Sequence, residues 1–305
     1  STPLSSLNIS TTNGSINIDV TNEGAPATNI YGLANNNGGD VSINSGLDLT
    51  IKASHDVSWA AANINAIRND LTNSKIDIEA QGNVSLTANG NGSVSTIYND
   101  ALADLSITAN EIKITADSVG YEYNAIVNYG VTKLTANGDI SATATGTTNG
   151  MNRALYSVGT NDPELSNFEL STDGIITLYA GGNASSGTSA IYALNHTEDT
   201  FTLNGSSISV TAENGSGSAY GIYAQDSDVD VTADYSSTVK SSAYGLFSYS
   251  GANLSNIDVT SSSNYIEAGS RALYSSGADS NITLTASALT QEDQSGRNTV
   301  LSQNY

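Results

Sequence analysis

Short segments in which apolar and polar residues alternate recur along the chain. One group reads I-x-I-x-A and occupies residues 76–80 (IDIEA), 105–109 (LSITA), 229–233 (VDVTA) and 282–286 (ITLTA). A second group follows closely after it in several repeats, at residues 84–88 (VSLTA), 112–116 (IKITA) and 208–212 (ISVTA). Strict alternation is typical of a strand with one buried face. Both groups therefore predict short β-strands.

A third kind of segment has a small or polar residue, then Ile, Leu or Val, and usually Tyr next. Its ten copies are residues 29–32 (NIYG), 66–69 (AIRN), 96–99 (TIYN), 125–128 (AIVN), 154–157 (ALYS), 190–193 (AIYA), 221–224 (GIYA), 245–248 (GLFS), 272–275 (ALYS) and 299–302 (TVLS). Nine steps cover the 270 positions from Ile30 to Val300, a mean of 30. Asn, Gly, Ser and Asp between the segments favour tight turns. Each repeat is thus expected to hold three strands and three turns, without a helix.

A fixed period of this length is typical of an array of stacked units. We expect an all-β, right-handed parallel β-helix of about ten coils, each of roughly 30 residues and three strands. A β-propeller would need four strands in about 40–45 residues, and a β-sandwich has no fixed period. Because the repeat continues without a linker, residues 1–305 are expected to form one elongated domain.

The outward residues of the third segment form a candidate binding surface. The aliphatic residue of each copy should point inward, so the next residue should point outward. Those next residues are Tyr31, Arg68, Tyr98, Val127, Tyr156, Tyr192, Tyr223, Phe247, Tyr274 and Leu301. Rings at equivalent positions would lie about 4.8 Å apart in neighbouring coils. The six aromatics from Tyr98 to Tyr274 are the candidate binding residues, and the alternative is that they merely cover the sheet.

Charge excludes some partners and raises a possible cation site. The chain has 30 acidic and 9 basic residues, a net charge of −21. This argues against nucleic acid and anionic membranes as partners. Asp226, Asp228 and Asp230 alternate and should share an outward face, while aligning Val229 with Ile257 places Asp230 beside Asp258. Asp228, Asp230 and Asp258 are therefore a candidate Ca²⁺ site, with a solvated acidic face as the alternative; no other cofactor is expected.

Catalytic motifs are scarce. His55 and His196 are expected to be solvated loop residues, and no G-x-S-x-G occurs. The chain also lacks the NTD, DD, GHG and RIK motifs by which polygalacturonases resemble one another. Basic residues lie away from acidic clusters in sequence, at Lys113, Lys133, Arg153, Lys240 and Arg271. We expect no enzyme, and a glycan-cleaving β-helix is the alternative. Residues 160–164 and 197–200 lie in the longest coils and are expected to protrude as loops.

The Asn-, Ser-, Thr- and Gly-rich repeats, the lack of cysteine, the acidity and the I-x-I-x-A and A-I-Y rhythm resemble passenger domains of bacterial autotransporter adhesins. The resemblance covers the whole chain but is architectural. It implies a β-helix exported across the outer membrane to the cell surface, with roles in adhesion, biofilm formation and virulence. Expected partners are a host glycan, a host protein or another copy of the chain, and a purely structural stalk is a further alternative.

Export would also be consistent with the absence of cysteine. No apolar stretch approaches the roughly 20 residues of a membrane span, so we expect no direct membrane insertion of this segment. The chain starts at Ser1 without Met, and we expect a fragment of a longer surface protein.

Overall fold

The computed structural model describes residues 6–22, 29–36, 38–55, 61–71, 73–120, 122–148, 150–160, 165–196, 201–215, 218–286 and 297–302. These residues form an all-β structure of 27 strands. Within these ranges there is no helix with the length and apolar character needed to cross a membrane. The pairings between strands are parallel, as the repeat predicts. The predicted protruding loops fall largely outside the described residues, at 161–164 and 197–200.

The strands form three parallel ladders, to each of which successive repeats contribute one strand. The first ladder contains β1 (Ser6–Thr11), β4 (Asp40–Ser45), β7 (Lys75–Ala80), β10 (Asp104–Ala109), β13 (Val131–Ala136), β16 (Asn167–Thr172), the first halves of β19 (Phe201–Ala212) and β21 (Asp228–Ser241), β23 (Ser255–Ser261) and β26 (Ser280–Ala286). The second contains β2 (Ile16–Asn22), β5 (Leu49–His55), β8 (Val84–Gly90), β11 (Ile112–Gly120), β14 (Ile140–Thr148), β17 (Ile175–Ala184), the second halves of β19 and β21, β24 (Ser263–Ala268) and β27 (Arg297–Ser302).

The third ladder contains β3 (Ile30–Asn35), β6 (Ala61–Asn69), β9 (Gly92–Asn99), β12 (Glu122–Asn128), β15 (Met151–Val158), β18 (Gly187–Leu194), β20 (Ala219–Gln225), β22 (Tyr244–Tyr249) and β25 (Arg271–Ser276). It forms a nine-stranded sheet by itself. The first two ladders are joined into an 18-stranded sheet, because β19 and β21 each run through both. The two I-x-I-x-A groups thus lie in the first and second ladders, and the third segment, apart from its last copy, lies in the third ladder.

The apolar residues of the alternating pattern form one core. Eight that the pattern places inward are fully buried: Ile78, Leu86, Ile107, Ile114, Ile126, Ile191, Val210 and Ile222. Burying an aliphatic side chain of this size contributes about 1.5–3 kcal/mol. Phe168 and Phe201 stack inside the same core with ring centroids 5.2 Å apart. Leu273 departs from the expectation and is 40% exposed, because β25 is the last strand of its sheet.

The register corrects the assignment of the first and last copies of the third segment. In β3, Leu33 and not Ile30 aligns with Ile67, so Tyr31 lies three residues before the predicted position. Two aliphatic residues three apart both satisfy the local pattern, and only pairing with β6 separates them. At the other end, Val300 pairs with Ile266 of β24, so residues 299–302 belong to the second ladder.

Buried polar residues line the corner that follows the third ladder. Asn69 donates to Oδ1 of Asn99 at 2.9 Å, and Asn99 donates to Oδ1 of Asn128 at 3.2 Å. Asn128 in turn donates to Oγ of Ser157 at 3.1 Å. Ser157 is hydrogen-bonded to Nε2 of His196 at 3.0 Å. This asparagine row, from Asn69 to Ser157, links four successive repeats through their side chains.

The expectation that both histidines are solvated is wrong. His196 is fully buried, is hydrogen-bonded to the last residue of the asparagine row, Ser157, and packs edge-on against Phe201 at 5.5 Å. His55 is 4% exposed, at the end of β5. Both histidines lie at or just beyond a strand end, where the chain turns and a side chain can point inward. The alternating pattern within the strands does not predict this orientation.

Candidate functional site: the aromatic face of the third ladder

Aromatic side chains form a continuous row on the outer face of the third ladder. The parallel register aligns the six candidate residues with one another: Tyr98, Tyr156, Tyr192, Tyr223, Phe247 and Tyr274. Ring centroids lie 5.8 Å apart between Tyr156 and Tyr192 and 4.4 Å apart between Tyr192 and Tyr223. Farther along, Phe247 lies 5.0 Å from Tyr223 and 4.8 Å from Tyr274. All six are half-buried, because each ring covers its neighbour.

One repeat has Val127 at the aligned position, and a tyrosine from the adjoining turn fills the gap. Tyr129 lies 5.9 Å from Tyr98 and 5.9 Å from Tyr156, between the rings of the flanking repeats. Val127 was expected to point outward into solvent, but it is only 3% exposed. The sequence signal for Tyr129 is its position two residues after Val127, which places it on the same face.

A second pair of rings lies beside the row and was not foreseen. Tyr220 and Tyr244 stack with centroids 5.1 Å apart. Tyr220 also packs edge-on against Tyr223 at 5.3 Å, and Tyr244 packs against Phe247 at 5.6 Å. In a regular strand Tyr220 and Tyr223 would point to opposite faces, since they are three residues apart.

A bend at the small residue of each third-ladder strand explains this shared face. Gly221 and Ile222 are both buried, so two consecutive residues face inward and Tyr220 and Tyr223 both face outward. The strand pairing skips this small residue in neighbouring repeats. A Cβ atom on Gly221 would lie 2.4 Å from Cγ1 of Val239. The recurring small residue therefore reflects a close approach to the second ladder.

Three arginines pack on the aromatic row: Arg271 lies 4.5 Å from the Tyr274 ring centroid, and Arg68 and Arg153 are each paired with a carboxylate. Arg68 donates to Oδ2 of Asp70 at 2.5 Å, and its guanidinium carbon lies 4.5 Å from the Tyr98 ring centroid. Arg153 forms an ion pair with Glu122 and lies 4.4 Å from the Tyr156 ring. Cation–π contacts of this kind contribute about 0.5–2 kcal/mol. They hold the rings in place, and the carboxylates of Asp70 and Glu122 compensate the charges of Arg68 and Arg153.

Tyr98, Tyr129, Tyr192 and Tyr223 keep their phenolic protons at neutral pH. Burial raises the pKa of Tyr98 and of Tyr192 above the ordinary value of about 10. Burial, together with neighbouring tyrosines, also raises the pKa of Tyr129 and of Tyr223. Each hydroxyl can thus donate as well as accept a hydrogen bond.

A shallow groove, which we call the polar groove, opens beside the first part of the row. Its volume is about 160 Å³. Aromatic rings border it, namely Tyr98, Tyr129 and Tyr156, and its other lining residues include Asn63, Asn65, Ser93, Ser95 and Asn124. Rings beside several small amide and hydroxyl groups offer both apolar contact and directional hydrogen bonds.

A larger groove, the corner groove, lies where the second ladder turns towards the third. Its volume is about 850 Å³, and its charged lining residues are Glu213, Lys240 and Glu267. Nζ of Lys240 lies 3.5 Å from Oε2 of Glu267, and the Tyr179 hydroxyl donates to Glu213 at 3.0 Å. Lys240 and Arg153, which lie away from acidic clusters in sequence, are brought beside carboxylates by the fold, because the ladders align residues about 30 positions apart.

The predicted alignment of the acidic residues is confirmed in part. Asp230 pairs with Asp258 in neighbouring strands, and Asp228 accepts from Nδ2 of Asn256 at 2.7 Å. Burial, with a contribution from Asp258, raises the pKa of Asp230. Among the residues given structure here, no three acidic or histidine side chains converge as metal ligands.

Asp226 does not share that outward face, contrary to expectation. It lies before β21 with a positive φ of 50° and is 5% exposed. Its Oδ1 accepts the backbone N–H groups of residues 251, 252 and 253 at 2.8–2.9 Å. Burial alone would raise the pKa of Asp226, but these three hydrogen bonds lower it. The carboxylate thus holds the neighbouring turn and does not contribute to a cation site.

Comparison with known proteins gave no relative for this chain. No family model matches the sequence, no curated protein matches it, and no solved structure matches the fold.

Proposed function

We propose that this chain is a segment of a bacterial cell-surface adhesin whose binding surface is the aromatic row. The three ladders would wind as a right-handed parallel β-helix of about ten coils, which places the row along one side of a rod. The observation that carries the proposal is the continuity of the row. Seven stacked or edge-on rings, including Tyr129, expose part of their surface on a single face.

Physical chemistry supports an adhesive role for such a face. Half-exposed tyrosines offer a large contact area, lose little side-chain entropy on binding and carry a polar tip. The partner would be a host glycan, a host protein or a second copy of the chain. The net charge of −21 opposes non-specific association of rods and disfavours nucleic acid. Absence of cysteine is consistent with export to the cell surface.

The test removes three rings from the row without touching the core. Tyr192, Tyr223 and Tyr274 are replaced with Ser, and binding is measured with coated beads on host cells and by sedimentation for self-association. We expect at least one of the two activities to fall severalfold while the far-ultraviolet spectrum remains that of the parent.

The matched control replaces three tyrosines of the other sheet, Tyr179, Tyr235 and Tyr265, with Ser. Tyr235 is 60% exposed, and these three lie on strands of the first and second ladders. The control should bind like the parent chain. If the row variant folds and retains both activities, the row is scaffold and the stalk alternative is favoured.

A glycan-cleaving enzyme is the second candidate, because the corner groove brings two carboxylates and a lysine together. Glu213 follows β19 and Glu267 lies on β24, two strands away in the ladder, so their backbones are about 10 Å apart. Reducing-end and unsaturated-product assays on pectin, alginate and neutral polysaccharides test this candidate. Turnover that Glu267→Gln abolishes would favour the enzyme over the adhesin.

A further inference from the structure

We propose that the polar groove binds one ring of an uncharged glycan. This inference rests on the proposed adhesive function and names the ligand class of one part of the aromatic face. It concerns the groove between Tyr98, Tyr129 and Tyr156. The distal cluster of Tyr220, Tyr223 and Tyr244 is not part of this glycan site.

The size of the groove fits a single sugar ring. Its 160 Å³ corresponds to about five water molecules at roughly 30 Å³ each. Sugar rings have an apolar C–H face that packs on aromatic rings, and hydroxyl groups around their edge. Tyr98, Tyr129 and Tyr156 supply the aromatic surface, with Tyr129 edge-on to Tyr156 at an interplanar angle of 86°. Because these rings are inclined to one another, they form a concave surface instead of a flat one.

The polar lining matches hydroxyl groups, which both donate and accept. Asn63, Ser93, Ser95 and Asn124 add amide and hydroxyl groups to the groove. Asn65 donates from Nδ2 to the Ser95 carbonyl at 2.5 Å, which orients its Oδ1 away from that carbonyl. Asn65 is 2% exposed, and its Oδ1 has no hydrogen-bond partner among the described groups. A buried acceptor without a partner costs about 1–3 kcal/mol, so a ligand hydroxyl that reaches it would be favoured.

Charge selects an uncharged ligand. The guanidinium of Arg68 is paired with Asp70, and that of Arg153 with Glu122, so neither is left free to neutralise a carboxylate. Both pairs lie at the border of the groove, since Arg68 and Glu122 line it. The chain as a whole carries −21, and its field repels uronic and sialic acids. Neutral hexose and N-acetylhexosamine glycans do not meet this repulsion.

The experiment titrates the chain with neutral oligosaccharides of glucose, galactose and N-acetylglucosamine, and with oligogalacturonate and sialyllactose, by isothermal calorimetry. We expect millimolar or tighter binding for at least one neutral glycan and none for the acidic ones. Tyr129→Ser should weaken binding by about tenfold, whereas Tyr129→Phe, which keeps the ring, should weaken it by less than threefold. Tyr244→Ser, in the distal cluster, is the control and should bind like the parent.

Three results would overturn the inference: no binding of any neutral glycan, equal binding of acidic glycans, or unchanged binding by Tyr129→Ser. A melting curve for each variant separates loss of fold from loss of binding, and Tyr98→Ser, which removes another ring that lines the groove, tests the site if Tyr129→Ser unfolds. The bead assay distinguishes this inference from the proposed function. If the row variant loses adhesion but the parent binds no neutral glycan, the glycan inference fails and the adhesin proposal stands.

Discussion

The hydrogen bonds of the asparagine row predict a large loss of stability when Asn99 is replaced. Its Nδ2 lies within hydrogen-bond distance of the backbone carbonyls of Ala103 at 3.0 Å and Val131 at 2.9 Å, and its Oδ1 accepts from Asn69. Asn99→Leu keeps a similar volume but removes every one of these bonds. Some partners keep a second bond: Asn69 still donates to the Asp104 carbonyl at 2.8 Å. A net loss of one or two buried hydrogen bonds, with an acceptor left unpaired, should lower the free energy of unfolding by about 2–4 kcal/mol.

The assay is urea unfolding followed by circular dichroism, with the slope of the transition compared between variants. The control is Asn110→Leu, because Asn110 donates to Oδ1 of Asn83 at 3.1 Å from an exposed position. The control should change the free energy of unfolding by about 0.5 kcal/mol or less. A loss below about 1 kcal/mol in Asn99→Leu would refute the reasoning, since it would mean that the buried row contributes no more than an exposed pair.

Further predictions concern charge, packing and cations. Burial and a neighbouring carboxylate raise the pKa of Asp230 in the folded chain, so Asp230→Asn should stabilise at pH 7, and this gain should vanish below the unfolded pKa of about 4. Three backbone hydrogen bonds lower the pKa of Asp226, so Asp226→Asn should lower the stability of the chain at pH 7. In the same pH-dependent melts, this loss of stability should shrink as the pH falls below about 4. If the stability of each variant differed from that of the parent by the same amount at every pH, these two pKa assignments would be wrong. Gly221→Ala should lower the free energy of unfolding in urea by about 1–3 kcal/mol, because its Cβ would lie 2.4 Å from Val239; Gly14→Ala, whose nearest contact is 3.8 Å away, is the control and should be neutral. If the outward aspartates bind Ca²⁺, millimolar Ca²⁺ should raise the melting temperature and EDTA should reverse the rise; an unchanged temperature rejects the site.

The sequence by itself determined the strands and most of their alignment. In the segments at Ile76, Leu105 and Val229, a slip of one residue would move every apolar side chain to the outer face. The I-x-I-x-A pattern therefore specifies which residues are buried, and the period of about 30 specifies which strands pair. The alignment of six aromatic residues follows from the same two periods.

Tertiary structure decided the features that depend on contacts between repeats. At the first copy, Ile30 and Leu33 satisfy the local pattern equally, and pairing with β6 selects Leu33. Tyr220 joins the face of Tyr223 because the strand bends at Gly221, where the backbone approaches the second ladder.

Polar burial is the clearest case of a feature that periodicity cannot reveal. Asn99 ends a predicted strand segment, and His196 was expected to be a solvated loop residue, yet both are fully buried. Asn99 is satisfied by carbonyls and side chains of neighbouring repeats, and His196 by the hydroxyl of Ser157. A hydrogen-bond partner about 30 residues away leaves no trace in the local alternation of apolar and polar residues, so only the stacked structure shows that burial of these groups is stable.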